Sequence, residues 1–199
     1  VEDAAFLPNM ETAVNLILDG EPRLGERVVV IGQGVVGLLT TALLAQHPLE
    51  SLTTVEQHAS RRKLSLELGA HASVDPAAKL APDADLVYDL SGNPEALDLA
   101  LNLVGDFGRV VVGSWYGQRR ASLDLGTRFH RGRIKIISSQ VSNIEPALRG
   151  RWDRQRRFAL AWRQLAQVKP SRLITSRVPF AQAAEAYRQL ADSPDTHLA

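Results

Sequence analysis

An apolar run, Arg27-Val28-Val29-Val30-Ile31, leads straight into Gly32-Gln33-Gly34-Val35-Val36-Gly37 and then into an amphipathic stretch, and this junction constrains the 199-residue chain more than any other feature. A strand that ends in G-x-G-x-x-G and opens a helix has the geometry of a dinucleotide site. Gly32 permits the tight turn, Gly34 has no Cβ to hold the backbone off a pyrophosphate, and Gly37 lets the helix pack closely on the strand. The N–H groups of the first helical turn, Val35 and Val36 included, then hold the phosphates together with the partial positive charge of the helix N-terminus.

The glycine pattern gains its specificity from the strand that comes after it. A second apolar run over residues 51–55 ends at Glu56, about 20 residues beyond the last glycine, where a carboxylate can accept both hydroxyls of a ribose. Because a carboxylate repels a 2′-phosphate, Glu56 favours NAD over NADP. Arg61 and Arg62 blur that preference, since an arginine just past the strand can pair with the phosphate; as plain helix-surface charges they leave it intact.

Periodicity and turn residues predict helices over residues 9–18, 35–46, 59–68, 94–104, 152–168 and 181–190. Strands are predicted over 27–31, 51–55, 72–74, 85–90, 109–112 and 133–138. Strands separated by helices of about 10 residues imply right-handed parallel crossovers, hence an α/β doubly wound parallel sheet in the order 3-2-1-4-5-6, followed by a helical C-terminal segment. Ligands of such sheets lie beyond the carboxyl ends of the strands, where the order reverses. Two further turns therefore line the site: Ser91-Gly92-Asn93 after the fourth strand, and Gly113-Ser114-Trp115-Tyr116-Gly117 after the fifth. The chain divides into a lead-in helix (residues 1–25), a dinucleotide-binding domain (26–170) and a C-terminal segment (171–199).

Composition removes several chemistries. With no cysteine there is no disulfide framework, no Cys-type structural zinc and no thiol nucleophile. No stretch approaches the roughly 18 to 20 apolar residues of a membrane span, and Val1-Glu2-Asp3 resembles neither a signal nor a transit peptide, so a cytoplasmic location is expected. His47, His58, His71, His130 and His197 show no H-x-H or H-x-x-x-H spacing, and no metal site is expected within the chain. His130, beside Phe129 and ahead of the sixth strand, either faces a substrate or is a surface histidine in a basic loop. The glycine loop lacks the Lys-Ser/Thr ending of a P-loop, which disfavours nucleotide triphosphate hydrolysis.

Charge is divided unevenly, with 6 Lys+Arg against 15 Asp+Glu in residues 1–105 and 17 against 7 in residues 106–199. The excess concentrates in Arg128-Phe129-His130-Arg131-Gly132-Arg133 and in the arginines of residues 149–157. Basic residues among aromatics can bind nucleic acid. With a formal net charge of only +1, a solvated face or a docking surface for an acidic partner is the preferred reading.

The succession Ala4-Ala5-Phe6-Leu7, Glu11-Thr12-Ala13-Val14, Leu24-Gly25-Glu26 with the strand and glycine loop, and Leu68-Gly69-Ala70 resembles the medium-chain dehydrogenase/reductase family, which includes the zinc alcohol and polyol dehydrogenases. Asp89-Leu90-Ser91-Gly92-Asn93, Gly108-Arg109-Val110-Val111-Val112-Gly113 and Val178-Pro179-Phe180 with Ala183-Ala184-Glu185-Ala186-Tyr187 fit the same family. The resemblance implies a Rossmann-like cofactor-binding part whose partner, a barrel-like catalytic domain carrying the first zinc ligands and the proton relay, is absent from this chain. Family members often place a further zinc ligand just before the Thr-Ala pair, where this chain has Phe6-Leu7-Pro8-Asn9 and, nearby, Glu11. Zinc is thus expected only from the missing domain, and Glu11 is expected to be a helix-start charge.

The function expected is the cofactor-binding portion of an NAD(P)-dependent oxidoreductase acting on a small alcohol or carbonyl substrate. The isolated chain is expected to bind cofactor without turnover, and its catalytic residues are not assigned. Its cofactor contacts are assigned to Gly32, Gly34, Val35, Val36, Gly37, Glu56, Arg61, Ser91, Gly92, Gly113 and Ser114. The resemblance also implies a possible homodimer, since family members commonly pair through the edge strand corresponding to residues 133–138, whose apolar alternation would otherwise sit at a sheet edge. The alternatives are a non-catalytic module that senses or stores NAD(H), and an RNA-binding protein that uses the basic half.

Overall fold

In the computed structural model, which describes residues 1–193, 196 and 198, the elements run α1 (Leu7–Gly20), β1 (Arg27–Ile31), α2 (Val35–Leu44), β2 (Ser51–Val55), α3 (Ala59–Glu67), β3 (Ala72–Val74), β4 (Ala84–Asp89), α4 (Glu95–Leu103), β5 (Val104–Val112), β6 (Lys135–Ser138), α5 (Arg154–Val168) and α6 (Ala183–Asp192). The six strands form one parallel sheet in the order β3-β2-β1-β4-β5-β6. Strands buried on both faces read as unbroken apolar runs, and Val28-Val29-Val30-Ile31 is such a run.

Alternation along the strands sorts the core into two faces. Val28, Val30, Leu52, Leu86, Tyr88 and Val111 meet Leu16 of α1 and Leu44 of α2 on one side. Val29, Ile31, Val55, Val87 and Val110 meet Leu97, Ala100, Leu101 and Leu103 of α4 on the other. Ala161, Leu165 and Val168 of α5 cover the outer surface of α1 and α2, adding a further layer on the first side. No helix among the described residues is long and apolar enough to cross a membrane.

The first three strands fall where the sequence places them; several boundaries differ, for identifiable reasons. Helix α1 begins at Leu7, with Pro8 tolerated in the first turn, and runs on through Gly20. The left-handed residue that ends it is Glu21 (φ 46°), not the glycine. Gly20 is required for a different purpose: a Cβ there would stand 2.1 Å from the hydroxyl oxygen of Tyr88. The fifth strand begins at Val104, where the sequence pattern predicts the end of a helix. Its first residues bulge away from β4, and Phe107, at φ 62°, turns to donate to Gly132 O at 2.6 Å. His197 lies outside the described residues.

One arginine ties the helical entry to the sheet. Arg109 of β5 donates to Gly20 O at 2.7 Å and Glu21 O at 2.8 Å, satisfying carbonyls at the α1 C-terminus, and makes a two-pronged pair with Glu26 at 2.8 Å for each prong. Burial pushes the Glu26 carboxyl up, but its bonds to Arg109 and to the Arg23 N–H outweigh this and hold it below the ordinary glutamate value. Replacing Arg109 by Met leaves a largely buried carboxylate unpaired, and chemical denaturation should show a loss of about 2–4 kcal/mol. A carboxyl held low stabilises the fold above its unfolded pKa and ceases to do so as the pH falls through the folded one. The stability gap between the natural chain and Glu26→Gln should therefore narrow as the pH drops below the ordinary glutamate range. A gap that stays constant with pH would contradict the assignment.

Candidate functional site

The glycine loop is shaped by three contacts. Gly32 sits at φ +89°, and a Cβ on it would come within 2.6 Å of the Ser91 backbone, so the β1 turn is pressed against the β4 turn. At Gly37 a Cβ would stand 2.0 Å from Gly32 O, which makes that glycine the condition for α2 to approach the strand. Gly34 is different: an added Cβ would meet nothing within 4 Å. Gly34 is the N-cap of α2, no side chain caps this helix end, and the first-turn N–H groups, those of Val35, Val36 and Gly37 among them, are left to a ligand. Gln33, fully buried, locks the loop from below by donating to Gly32 O at 3.0 Å and accepting from the Thr41 hydroxyl at 3.0 Å.

Glu56 follows β2 and is only 6% exposed. Its Oε2 accepts from Gln33 N at 2.7 Å and its Oε1 from His58 N at 2.9 Å, so the carboxylate joins the phosphate loop to the turn that opens α3. Each oxygen keeps a second lone pair for a ribose hydroxyl. The two arginines of the sequence reading separate here. Arg62 is committed to Glu56 O at 2.6 Å, Gln57 O at 2.8 Å and Asp75 at 3.3 Å, whereas Arg61 lines the cleft itself.

That cleft, about 370 Å³, brings together Gly32, Gly34, Glu56, Arg61 and Ser91 from the expected set. Its other walls are Ile31, Val55, Pro76, Leu90, Ala96 and Leu99, with Gln57, Asn93 and Glu95 at the polar side. An apolar slot beside a carboxylate and an uncapped helix end offers what the base, ribose and phosphates of an adenine nucleotide each require. Val35, Val36 and Gly37, in the first turn of α2, and Gly92, Gly113 and Ser114, at the neighbouring turns, are not among its lining residues.

Those turns are joined by a residue the sequence reading did not single out. Asp89, fully buried at the end of β4, accepts from Ser91 N at 3.1 Å, Ser91 Oγ at 2.8 Å, Ser114 Oγ at 3.1 Å and the Tyr116 hydroxyl. Ser114 Oγ also accepts from Gly92 N at 2.9 Å. Burial, then the bond to Asp89, pushes the Tyr116 phenol up, so it is a neutral donor and not a base. The absent Cβ of Gly113 faces Leu90 Cδ2 at 2.6 Å and Leu16 Cδ2 at 2.7 Å, which gives that glycine a packing role. A carboxylate closing an otherwise apolar strand was the available signal for Asp89.

One open reading is resolved, His130 being a surface histidine, and one expectation, that for Glu11, is corrected. His130 belongs to a loop anchored by Arg128, which donates to Pro82 O at 3.1 Å, Asn102 O at 2.9 Å and Val104 O at 2.8 Å, all at the amino ends of β4 and β5. The loop lies at the sheet end opposite the cleft, so His130 does not face a substrate there. Glu11 is not a lone helix-start charge: it pairs with Arg157, 2% exposed, at 2.9 Å. The basic run after β6 is largely taken up by its own backbone. Arg149 donates to Ile144 O, Arg154 to Ser142 O, Arg156 to Arg151 O and Arg157 to Asn143 O.

The contrast between the two glycines can be measured. Gly34→Val should abolish binding of NADH in a titration while circular dichroism stays native, apart from about 1 kcal/mol for a poorer N-cap. Gly37→Ala should cost the fold about 1–3 kcal/mol through overpacking against Gly32 O. The reverse pattern would place the phosphate site elsewhere.

Comparison with known proteins agrees with this fold. Residues 35–158 match the family model described as zinc-binding dehydrogenase. The chain is 24% identical over 192 residues to D-guloside 3-dehydrogenase of Escherichia coli K12, covering 90% of this chain and 55% of that protein. It is 27% identical over 201 residues to an uncharacterized zinc-type alcohol dehydrogenase-like protein of the same strain, covering 96% and 54%. It thus spans about half the length of the curated relatives it matches. Among solved structures, an alcohol dehydrogenase of Escherichia coli CFT073 complexed with NADH superposes with a TM-score of 0.81 at 18% identity, covering 98% of this chain and 57% of that one. A zinc-binding dehydrogenase of Sinorhizobium meliloti 1021 bound to NADP superposes with a TM-score of 0.68 at 21% identity, covering 82% and 49%. At these identities the structures speak for the fold, and the family model speaks for descent: the chain belongs to the zinc-binding dehydrogenase family.

Proposed function

We propose that this chain is the cofactor-binding portion of an NAD(P)-dependent oxidoreductase that exchanges hydride with an alcohol or carbonyl substrate. The observation that carries the reading is the open space at Gly34 beneath an uncapped helix N-terminus, facing a buried carboxylate across one cleft. The matched relatives carry dehydrogenase names, among them D-guloside 3-dehydrogenase and L-threonine 3-dehydrogenase. When bound, the nicotinamide supplies the hydride chemistry. The chain's own residues do the positioning: Val35, Val36 and Gly37 hold phosphate, Glu56 orients the ribose, and Asp89 fixes the two turns that flank the far half of the ligand.

Zinc does not fit the residues present. The chain has no cysteine, no group of three or more His, Asp or Glu among the described residues could hold a metal ion, and Glu11 is engaged by Arg157. In this reading residues 26–170 form the dinucleotide-binding domain, residues 1–25 lead into it, and residues 171–199 follow it. The protein acts in the cytoplasm, a separate catalytic domain completes the substrate cleft, and two copies pair along β6, where Ile136 is exposed.

Glu56 supports NAD over NADP, because no 2′-phosphate sits comfortably against a buried carboxylate. NADH should bind more tightly than NADPH to the purified chain, and Glu56→Ala should narrow that gap by about 1–3 kcal/mol. Both cofactors should also weaken, since the phosphate loop loses its anchor at Gln33. Equal or tighter NADPH binding would assign the site to Arg61 instead. Across a panel of aldehydes and ketones, with or without added zinc, the isolated chain should show no NADH oxidation above background. Orientation within a closed cleft is worth up to about 7–11 kcal/mol, and one wall of a cleft supplies little of it. Elemental analysis should find no stoichiometric zinc; robust turnover would overturn the division of labour.

A further inference from the structure

The outer layer formed by α5 is strongly basic. Residues 149–172 carry 8 Lys+Arg against a single acid, Asp153, and that carboxylate is engaged in capping α5, accepting from Arg156 N at 2.7 Å. Among the described residues only one of these cations, Arg157, stands in an ion pair, with Glu11. Helix α2, on which α5 also packs, carries no charge. Counting every acid of the N-terminal elements packed against α5, which are Glu2, Asp3, Glu11 and Asp19, leaves the excess positive.

Two aromatic residues sit in this basic layer. Helix α5 sends Ala161, Leu165 and Val168 into the core, so its packing does not call on Phe158 and Trp162, which stay 42% and 45% exposed. One turn apart on the helix, the two rings meet edge to face, with centroids 6.3 Å apart and planes at 86°. Arg154, one turn before Phe158, and Arg163, next to Trp162, are exposed, as is Arg151. A helix that buries one apolar stripe and still shows tryptophan and phenylalanine among arginines has the composition of one that lies on an anionic bilayer, where the rings enter the headgroup boundary and the cations are drawn to the lipid charge.

We propose that the outer face of α5 is a docking surface for an anionic lipid bilayer, with Phe158 and Trp162 seated at the headgroup boundary. Other occupants suit the face less well. Single-stranded nucleic acid stacks its bases on open ring faces, but the Arg156 guanidinium covers Trp152 at 4.1 Å from the ring centroid, and Phe158 and Trp162 close on each other. A carboxylate-rich protein is gripped by free two-pronged arginines, whereas Arg149, Arg154 and Arg156 donate to the carbonyls of Ile144, Ser142 and Arg151 and act as fixed charges. A second copy meeting the same face would set like charge against like. Docking here leaves the cleft open, since α5 meets the C-terminal end of α2, where Gln46 donates to Gln164 at 3.2 Å, and the cleft lies at the N-terminal end of that helix. The assignment is independent of what the cleft binds.

Vesicle sedimentation tests this. The 199-residue chain should sediment with vesicles of phosphatidylcholine mixed with phosphatidylglycerol and not with phosphatidylcholine alone, and the bound fraction should fall as salt is raised. Phe158→Ala/Trp162→Ala and, separately, Arg151→Glu/Arg163→Glu should each weaken partitioning by about tenfold or more while circular dichroism stays native. Should the aromatic variant misfold, the Trp115→Phe/Trp152→Phe chain decides, because Trp162 is then the sole indole. Its emission should shift to the blue on the anionic vesicles. No binding to them, equal binding to both lipids, binding unmoved by the charge reversal, or Trp162 emission unmoved in the vesicle-bound chain would each overturn the proposal. So would poly(U) RNA or polyglutamate that shifts Trp162 emission where the vesicles do not, which would give the face to nucleic acid or to an acidic protein.

Discussion

The closeness of α2 to the end of β1 is the constraint on which the rest of the site depends. With Gly32 O only 2.0 Å from where a Gly37 Cβ would be, no other residue lets the helix start this near the strand. That approach points the uncapped helix end at the cleft, leaves room in front of Gly34, and puts Gln33 where its N–H reaches Glu56. Glu56 in turn fixes the β2–α3 turn through His58 N. A displacement of α2 by the width of a methyl group would disconnect all of these.

The site is organised by two buried carboxylates, each at the carboxyl end of a strand and each bonded to neutral donors. Glu56 sits beyond β2, and Asp89 ends β4. Buried acceptors of this kind demand that every lone pair find a donor, and the donors available are turn N–H groups and hydroxyls. The turns are therefore held fast where the proposed cofactor would touch them. Loops held in this way bind with less ordering cost than free ones, which suits a module whose task is to place a cofactor.

Much of the fold was legible because it depends on local pattern. The bounds of β1, β2 and β3 follow from apolar runs between turn residues, and the strand order follows from the handedness of crossovers. What escaped depends on contacts between distant segments. Gly20 reads as a helix stop but is there to admit Tyr88, 68 positions on, and Val104 reads as helix but enters the sheet because the bulge through Phe107 is closed by Gly132. Of the two readings open for His130, local sequence cannot choose, since nothing local reveals that Arg128 anchors its loop to the amino ends of β4 and β5 and so leaves it a surface histidine. Asp89 fits a family pattern in the sequence, yet its hydrogen bonds appear only when the two turns are brought side by side.

The central claim, that a dinucleotide lies with its phosphates on the N-terminus of α2 and its ribose on Glu56, is tested most directly by backbone amide chemical shifts of the labelled chain during titration with NADH. The account predicts that the largest changes fall on the amides of Gly34, Val35, Val36 and Gly37, with further changes at Gln33, Gln57 and His58 and at the Ser91-Gly92-Asn93 turn. Changes confined to the arginine-rich segment of residues 149–157, or to the amino ends of β4 and β5, would contradict it.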